Sequence, residues 1–328
     1  MINAAIVGIG RWGQRLVSSV QGTSDAIRFT AGATGRRARA EDFCRAQGID
    51  LRDGLDDLLA DPTLDAVVLA TPHTQHRAQV EAAAAAGKHV FVEKPFTLTR
   101  ADAQAAADAA RAAGVVCALG HNRRFLPAMA RLKEMIDGGE LGRVLHAEGH
   151  FSSSGAMDYT ADHWRASHTE SPAGGMTGMG IHVVDAFIHL LGPIAEVTAQ
   201  SQRRALAVDM DDTTAMLLRF AAGPTGYLGT LAATALMWRV RVFGSAGWAE
   251  MHDTERLVTR RTGAGGEETR EFPVTDSVRA ELEAFAAAAA GGPPYPLPLD
   301  QAVHGAAVLE AVVESSRAGT PVAVPGID

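Results

Sequence analysis

Short, nearly continuous apolar runs alternate with longer stretches of helical spacing through the first 120 residues. Such runs are typical of strands buried on both faces, and the stretches between them predict amphipathic helices. The predicted strands are residues 2–7, 27–33, 66–70, 89–92 and 115–119. The predicted helices are a segment through Leu16, Val17 and Val20, then 38–47, 75–86 (closed by Gly87) and 100–113. This repetition predicts right-handed crossovers and one doubly wound parallel sheet.

The pattern changes after residue 120. A helix at 127–136, a strand at 144–151, a polar loop to about 175 and a helix at 181–191 come first. Polar and apolar residues then alternate from 194 to 272, which predicts a mostly antiparallel sheet, and helices at 277–289 and 299–317 follow. We therefore predict an α/β protein with two domains, residues 1–121 and 122–328.

Composition narrows the possible partners. The 328 residues carry 30 cationic and 38 acidic side chains, for a net charge of −8, which argues against nucleic acid or an anionic membrane as the main partner. Two cysteines suit a reducing compartment, and no apolar run approaches the roughly 20 residues that span a bilayer. The chain begins directly on an apolar strand without a basic, signal-like segment. We expect a cytoplasmic protein with a small-molecule partner.

A glycine-rich segment, Gly8-Ile9-Gly10-Arg11-Trp12-Gly13, follows the first predicted strand and opens a helix. In a Rossmann domain the first glycine permits a tight turn, the second lets a pyrophosphate approach the backbone, and the third allows close helix–strand packing. The free N–H groups of the helix start attract phosphate. The segment predicts dinucleotide binding through Gly8, Gly10, Arg11, Trp12 and Gly13, with an idle glycine-rich turn as the alternative.

The end of the second strand should contact the adenosine ribose. An Asp or Glu is usual there when the cofactor is NAD. This chain has Thr34, Gly35, Arg36 and Arg37 instead, and a hydroxyl with guanidinium groups suits a 2′-phosphate. The pattern favours NADP over NAD, and the alternative is that both arginines begin a solvated helix.

Two further segments end predicted parallel strands and should lie at the same sheet edge. Thr71-Pro72 is followed by His76, which either contacts a ribose or lies in the first turn of a helix. Glu93-Lys94-Pro95 places an ammonium where it could polarise a carbonyl, with a surface Glu–Lys pair as the alternative. Lys94 is one of only three lysines, so a specific need for an amine is indicated.

A third constellation runs from Gly174 through Thr177 and Gly178 to His182, Asp185 and His189. On a helix the last three residues share one face. His182 is the candidate acid/base, because imidazole titrates near neutral pH. A zinc site built from these three residues is the alternative, but their spacing is uncommon for ligands and no cysteine cluster supports it, so we predict no metal.

Together these residues resemble the glucose–fructose oxidoreductase, inositol dehydrogenase and rhizopine-catabolism (Gfo/Idh/MocA) family. The resemblance covers nearly the whole chain. It rests on the glycine-rich segment, Thr71-Pro72 with His76, residues 86–90 leading to Glu93-Lys94-Pro95, residues 122–125, 138–142, Trp164-Arg165, and the glycine-rich loop into His182.

The resemblance implies a Rossmann domain followed by an α/β domain with an open, mostly antiparallel sheet that often forms the oligomer interface. It implies that Lys94 and His182 are catalytic. It adds Thr71, Pro72, His76, Glu93, Lys94 and Arg123 to the expected cofactor contacts, and Lys94, Trp164, Thr177 and His182 to the expected substrate contacts. We expect a homodimer or homotetramer through the C-terminal sheet.

One position departs from the family pattern. The family commonly has Asp four residues before the histidine, where this chain has Gly178. Thr177, Asp185, His121 and His168 are the polar candidates to replace it, and the pocket floor becomes more apolar. The expected function is NADP(H)-dependent hydride transfer to or from a secondary alcohol or ketone of a sugar, polyol or related cyclic compound. A non-catalytic NADP- or sugar-binding regulator, and a dinucleotide-dependent glycoside-cleaving enzyme, are the alternatives.

Overall fold

A computed structural model describes residues 1–327 and divides the chain into two compact units. The first unit comprises Met1–Thr97, Ala101–Asn122 and Asp276–Val303, and the second comprises Leu98–Arg100, Arg123–Thr275 and residues 304–327. The N-terminal segment therefore ends one residue from the predicted boundary. The later segment Asp276–Val303 belongs to the first unit, although the sequence analysis included it in the second domain.

The first unit is built on a parallel six-stranded sheet. Its strands are β1 (Ile2–Val7), β2 (Ile27–Ala33), β3 (Asp50–Leu51), β4 (Ala66–Leu69), β5 (His89–Glu93) and β6 (Cys117–Gly120). Their order is β3-β2-β1-β4-β5-β6, and every pairing is parallel, which is the doubly wound arrangement of dinucleotide-binding domains. The predicted parallel sheet is confirmed.

Helices connect these strands. They are α1 (Arg11–Val20), α2 (Glu41–Gln47), α3 (Leu55–Leu59), α4 (His76–Ala85) and α5 (Arg100–Ala112). Leu16, Val17 and Val20 are the buried face of α1, and Gly87 follows α4 with a φ of +70°, as the sequence predicts. The helix α8 (Ser277–Ala289) also packs on this unit, and its Phe285 ring lies 5.7 Å from that of Phe91.

The second unit is built on a nine-stranded sheet. Its strands are β7 (Val144–Ser152), β8 (Ile194–Gln202), β9 (Thr213–Phe220), β10 (Thr225–Leu231), β11 (Met237–Gly244), β12 (Gly247–His252), β13 (Arg256–Arg261), β14 (Glu268–Glu271) and β15 (Val322–Ala323). The order is β14-β13-β12-β11-β7-β10-β9-β8-β15, and all pairs are antiparallel except β7 with β10. The predicted mostly antiparallel sheet is confirmed.

One face of this sheet holds the core of the second unit. The helices α6 (Pro127–Asp137) and α7 (Ile181–Leu191) pack on it, and the longer helix α9 (Leu299–Ala318) contributes Val308, Leu309 and Val312 to the same core. The strands alternate buried and more exposed residues, so the other face is left uncovered by this unit's helices. Among residues 1–327, no helix combines the length and apolar character required to cross a bilayer.

Candidate active site

The glycine-rich loop has the geometry that its three glycines predict. Gly8 has a φ of +93°, and a Cβ there would lie 2.4 Å from the carbonyl oxygen of Ala70. A Cβ at Gly13 would lie 2.1 Å from the Gly8 carbonyl, so only glycine lets α1 approach the strand this closely. A Cβ at Gly10 would meet nothing within 4 Å, which leaves room for a phosphate at the start of α1. Two more predicted cofactor residues are exposed on the first turn of α1: Arg11 and Trp12.

The two arginines after β2 differ in their surroundings. The guanidinium of Arg37 donates to the Leu51 carbonyl and to the Asp53 carboxylate, both at 3.2 Å. The exposed side chain of Arg36 has no hydrogen bond or ion pair within residues 1–327. Thr34 Oγ1 accepts a long hydrogen bond, 3.4 Å, from the Arg36 backbone N–H. Arg36 is therefore the guanidinium that is available to a ligand, whereas Arg37 already has intramolecular partners.

His76 links the ends of two adjacent parallel strands. Its ring has no exposed surface, with Nδ1 3.0 Å from the Pro95 carbonyl oxygen and 3.2 Å from that of Phe96. Its Nε2 lies 3.2 Å from the Thr71 carbonyl oxygen. Of the two alternatives for His76, the structure has its place in the first turn of α4, where both ring nitrogens face main-chain carbonyls. The cofactor contact stays a prediction.

Glu93 and Lys94 end β5 at the same edge of the sheet as the glycine-rich loop. Glu93 is buried, and its carboxylate accepts the backbone N–H of Lys94 at 3.3 Å. Lys88, by contrast, has a structural role, because its Nζ donates to the carbonyls of Asp61 and Leu64 at 2.7 and 2.8 Å. The low number of lysines is therefore not by itself evidence for a functional amine at Lys94, because Lys88 has a structural role.

His182 occupies the second position of α7, directly after a π-helical turn, Met176–Gly180. It is 8% exposed, and its ring centroid lies 5.9 Å from that of Phe151. Turns of this kind are frequent at functional sites.

Asp185, one turn after His182, is held by Arg124. The guanidinium donates from Nε to both carboxylate oxygens, at 3.0 and 2.9 Å, and from Nη2 to Oδ1 at 2.7 Å. Burial lowers the pKa of His189 to about 4, and the positive charge of Arg124 acts in the same direction. Within residues 1–327, no group of three or more His, Cys, Asp or Glu side chains is placed to hold a metal ion.

The position of Gly178 is open. A Cβ there would meet nothing within 4 Å. The neighbouring Thr177 has no exposed surface, and its hydroxyl donates to the Pro172 carbonyl. Thr177 was expected to contact substrate, but its hydroxyl is directed into the loop, so it does not replace the missing carboxylate. Asp185 is engaged by Arg124, as described above, and also does not take that place.

Arg123 and Trp164 both lie in the second unit. The Arg123 guanidinium carbon lies 4.7 Å from the Phe151 ring centroid and 4.1 Å from that of Trp238. These aromatic partners were missed by sequence reasoning, since no spacing connects them to Arg123. Trp164 is half-buried in the loop before α7, with the Arg165 guanidinium carbon 4.0 Å from its ring centroid.

The fold and the glycine-rich loop together define a dinucleotide-binding protein of two units. An oxidoreductase family model with an NAD-binding Rossmann fold matches residues 2–121, and the model of the GFO/IDH/MocA C-terminal domain matches residues 129–250. The chain belongs to the Gfo/Idh/MocA oxidoreductase family, and the resemblance noted from its motifs is confirmed.

Several characterised proteins are similar to this chain. A scyllo-inositol 2-dehydrogenase (NAD⁺) of Bacillus subtilis is 34% identical over 205 residues, which are 61% of this chain and 56% of the relative. A myo-inositol 2-dehydrogenase of Thermotoga maritima is 28% identical over 300 residues, 85% of this chain and 86% of the relative. The chain matches about half the length of the Bacillus enzyme and of two uncharacterised oxidoreductases of Schizosaccharomyces pombe.

The fold is also found in solved structures. A provisionally assigned NADPH-dependent oxidoreductase of Desulfitobacterium hafniense superposes with a TM-score of 0.90 at 25% identity, covering 98% of this chain and 97% of that one. The superposition includes both units, so the two-unit architecture is shared over nearly the whole chain.

Proposed function

We propose that this chain is an NADP(H)-dependent oxidoreductase that moves a hydride to or from a secondary alcohol or ketone of a sugar, polyol or related cyclic compound. One observation carries the proposal. The glycine-rich loop, Thr71 and Lys94 follow β1, β4 and β5, which are neighbours in one parallel sheet. The carboxyl ends of such strands meet at one edge, where dinucleotides bind.

The proposed mechanism gives separate tasks to two residues. The bound dinucleotide supplies the hydride acceptor or donor. In the oxidation direction, His182 accepts the hydroxyl proton while the carbon loses its hydride and the C=O bond forms. The task of the Lys94 ammonium is to donate a hydrogen bond that stabilises the negative charge developing on a substrate oxygen.

Two substitutions test these roles. We expect Lys94→Met and His182→Asn each to lower kcat by a factor of about 10² or more while NADP still binds, because general acid–base and oxyanion interactions each contribute on this scale. The assay is the change in nicotinamide absorbance with a panel of polyols and ketones, and fluorescence titration measures the dinucleotide. Unchanged turnover in either variant would remove that residue from the mechanism.

The preference for NADP rests on Arg36. No carboxylate ends β2, and the free Arg36 guanidinium suits a 2′-phosphate. The Bacillus relative is named as NAD⁺-dependent, so the preference must be measured on this chain. We expect Arg36→Ala to reduce the NADP/NAD ratio of kcat/KM at least tenfold. Arg37→Ala is the matched control and should change that ratio little, because Arg37 is paired with Asp53.

We further propose a homodimer or homotetramer formed through the uncovered face of the nine-stranded sheet. That face presents exposed Leu217 and Tyr227 on neighbouring strands. Beside them, Arg241 pairs in register with Glu148 on one side and Glu250 on the other. Arg241 and Glu250 are paired within the chain, so the exposed apolar side chains are the part of this face that favours contact with a second copy. Light scattering should give a multiple of the 34.4 kDa chain mass, and Leu217→Asp should shift it towards the monomer.

A regulatory, non-catalytic function is the second candidate, and Gly178 is the observation that favours it. Gly178 lacks the carboxylate that the family commonly places four residues before its histidine, and the space around it is open. Tight NADP binding without turnover on the whole panel, unchanged in Gly178→Asp, would support this alternative. Turnover by the unmodified chain would exclude it.

The free, buried thiols of Cys44 and Cys117 support the proposed cytoplasmic location.

A further inference from the structure

Arg123 lies in a corner made by two aromatic rings. Its guanidinium carbon is 4.1 Å from the Trp238 ring centroid and 4.7 Å from that of Phe151. The two rings meet edge to face with centroids 5.3 Å apart. Because the rings are this close to each other, they do not enclose the guanidinium from opposite sides. The two rings therefore cover the guanidinium from one side only.

The described part of the chain provides no acceptor for this guanidinium. Within residues 1–327, the Arg123 side chain makes no hydrogen bond and no ion pair, and its Nε is fully buried without a partner. The adjacent Arg124 makes three hydrogen bonds to one carboxylate. The residue as a whole is partly exposed, but its buried Nε lacks an acceptor, which is unfavourable, and a bound group that accepts from it would relieve this cost.

The Arg123 side chain is charged at neutral pH although it is largely buried. Burial lowers the pKa of Arg123 to about 10, and the carboxylate of Glu255 acts in the opposite direction. The guanidinium therefore remains protonated at neutral pH. Glu255 influences it through space but is not an ion-pair partner.

The same corner contains a second unsatisfied donor. The indole Nε1 of Trp238 is buried without an acceptor. Indole and guanidinium N–H groups can only donate, so the group they bind must be rich in acceptors. A planar carboxylate matches the fork of a guanidinium with two parallel hydrogen bonds. Phosphate oxygens share this chemistry.

The corner also adjoins the proposed acid/base. The Phe151 ring contacts Arg123 on one side and lies 5.9 Å, centroid to centroid, from the His182 ring. Arg123 and His182 are thus separated by no more than these two short steps. A small molecule could place one end at each of them.

We propose that Arg123, with Phe151 and Trp238, binds a carboxylate of the substrate, so that the preferred substrates are sugar acids or related hydroxy acids. The oxidised carbinol then lies a few bonds from the carboxylate, at His182. This inference rests on the proposed function, since it takes His182 as the group that exchanges the hydroxyl proton. The other source of the same chemistry is a phosphate of the dinucleotide, and the test separates the two.

The test compares acids with their neutral counterparts, D-gluconate with sorbitol and D-glucuronate with D-glucose. We expect kcat/KM to favour the acid at least tenfold, and Arg123→Met to lower kcat/KM for the acids at least ten times more than for their neutral counterparts. Arg270→Met is the matched control, because Arg270 also lies over a ring, 4.8 Å from the Phe272 centroid, but is exposed. An equal loss for acids and neutral compounds would overturn the proposal. So would weakened NADPH binding with an unchanged acid preference, which would assign Arg123 to the cofactor.

Calorimetry keeps the two proposals separable. Should Arg123→Met fail to fold, Arg123→Lys retains the charge but loses the planar fork, and it should bind gluconate at least tenfold more weakly than the unmodified chain. If no polyol, ketone or acid is turned over, the proposed oxidoreductase function fails. Gluconate binding that is absent for sorbitol and lost in Arg123→Lys would still support the carboxylate site. Equal binding of gluconate and sorbitol would refute it.

Discussion

Removal of Arg124 should be one of the most destabilising single changes in the second unit. The side chains of Arg124 and Asp185 are only 3% and 8% exposed, and three hydrogen bonds of 2.7 to 3.0 Å join them. Arg124→Met leaves the Asp185 carboxylate buried without its cation, and breaking a buried pair in this way costs about 3–5 kcal/mol. The double variant Arg124→Met/Asp185→Leu removes both charges, and it should recover most of this loss.

Urea denaturation followed by tryptophan fluorescence measures the effect, because Trp164, Trp238 and Trp248 all lie in the second unit. Lys133→Met is the matched control. It breaks a more exposed ion pair, Lys133 to Asp137 at 2.5 Å in the same unit, and should cost less than about 1 kcal/mol. A loss in Arg124→Met no larger than in the control would refute the reasoning. A double variant less stable than Arg124→Met alone would refute it equally.

Three further predictions concern the loop, a histidine and a lysine. Gly8→Ala should destabilise the first unit by more than about 1 kcal/mol, since its φ is +93° and the backbone leaves no room. Gly10→Ala should fold normally but bind NADP more weakly, which isothermal titration can show. The free energy of unfolding should fall, by up to about 3 kcal/mol, as pH drops from roughly 6.5 to 4, because the unfolded state binds the proton that buried His189 excludes. His189→Leu should remove that part of the pH dependence. Lys88→Met should cost about 2–4 kcal/mol in urea denaturation, because two carbonyls lose their buried donor.

The sequence predicted the first sheet well because its signal is local. Four apolar residues in succession, bounded by turn residues, are typical of a short strand covered on both faces, and β4 has all four buried. The strand β3 and the helix α3 were missed, since two and five residues are too short to show a period. The membership of α8 in the first unit was also missed. Which sheet an amphipathic helix covers is decided by tertiary packing, and its own periodicity is the same in either case.

In the candidate site too, local features could be predicted from the sequence, whereas features that depend on tertiary contacts could not. The roles of Gly8, Gly10 and Gly13 depend on neighbouring backbone, and the structure has the geometry that they imply. His76 begins α4, which is one of its two alternatives, and both of its ring nitrogens lie near main-chain carbonyls. The Thr177 hydroxyl donates to another main-chain carbonyl, and partners of this kind have no signature in the sequence. A polar residue in a motif can serve a ligand or its own loop, and only the position of the carbonyls distinguishes these outcomes.

Two pairs of adjacent arginines show the difference between a side chain with an acceptor inside the protein and one without. In each pair the residues are chemically identical and consecutive, yet Arg37 and Arg124 are bound to carboxylates while Arg36 and Arg123 have no acceptor within residues 1–327. In the paired member, a carboxylate of the chain neutralises the guanidinium charge. The other member has the same charge and no internal partner within residues 1–327, so its acceptor is either solvent or a bound anion. Exposure then separates the two cases, because solvent satisfies Arg36 but only partly reaches Arg123. Substitution of Arg36 should therefore weaken binding without lowering the stability of the free protein. An anion bound at Arg123 should raise the free energy of unfolding of the protein.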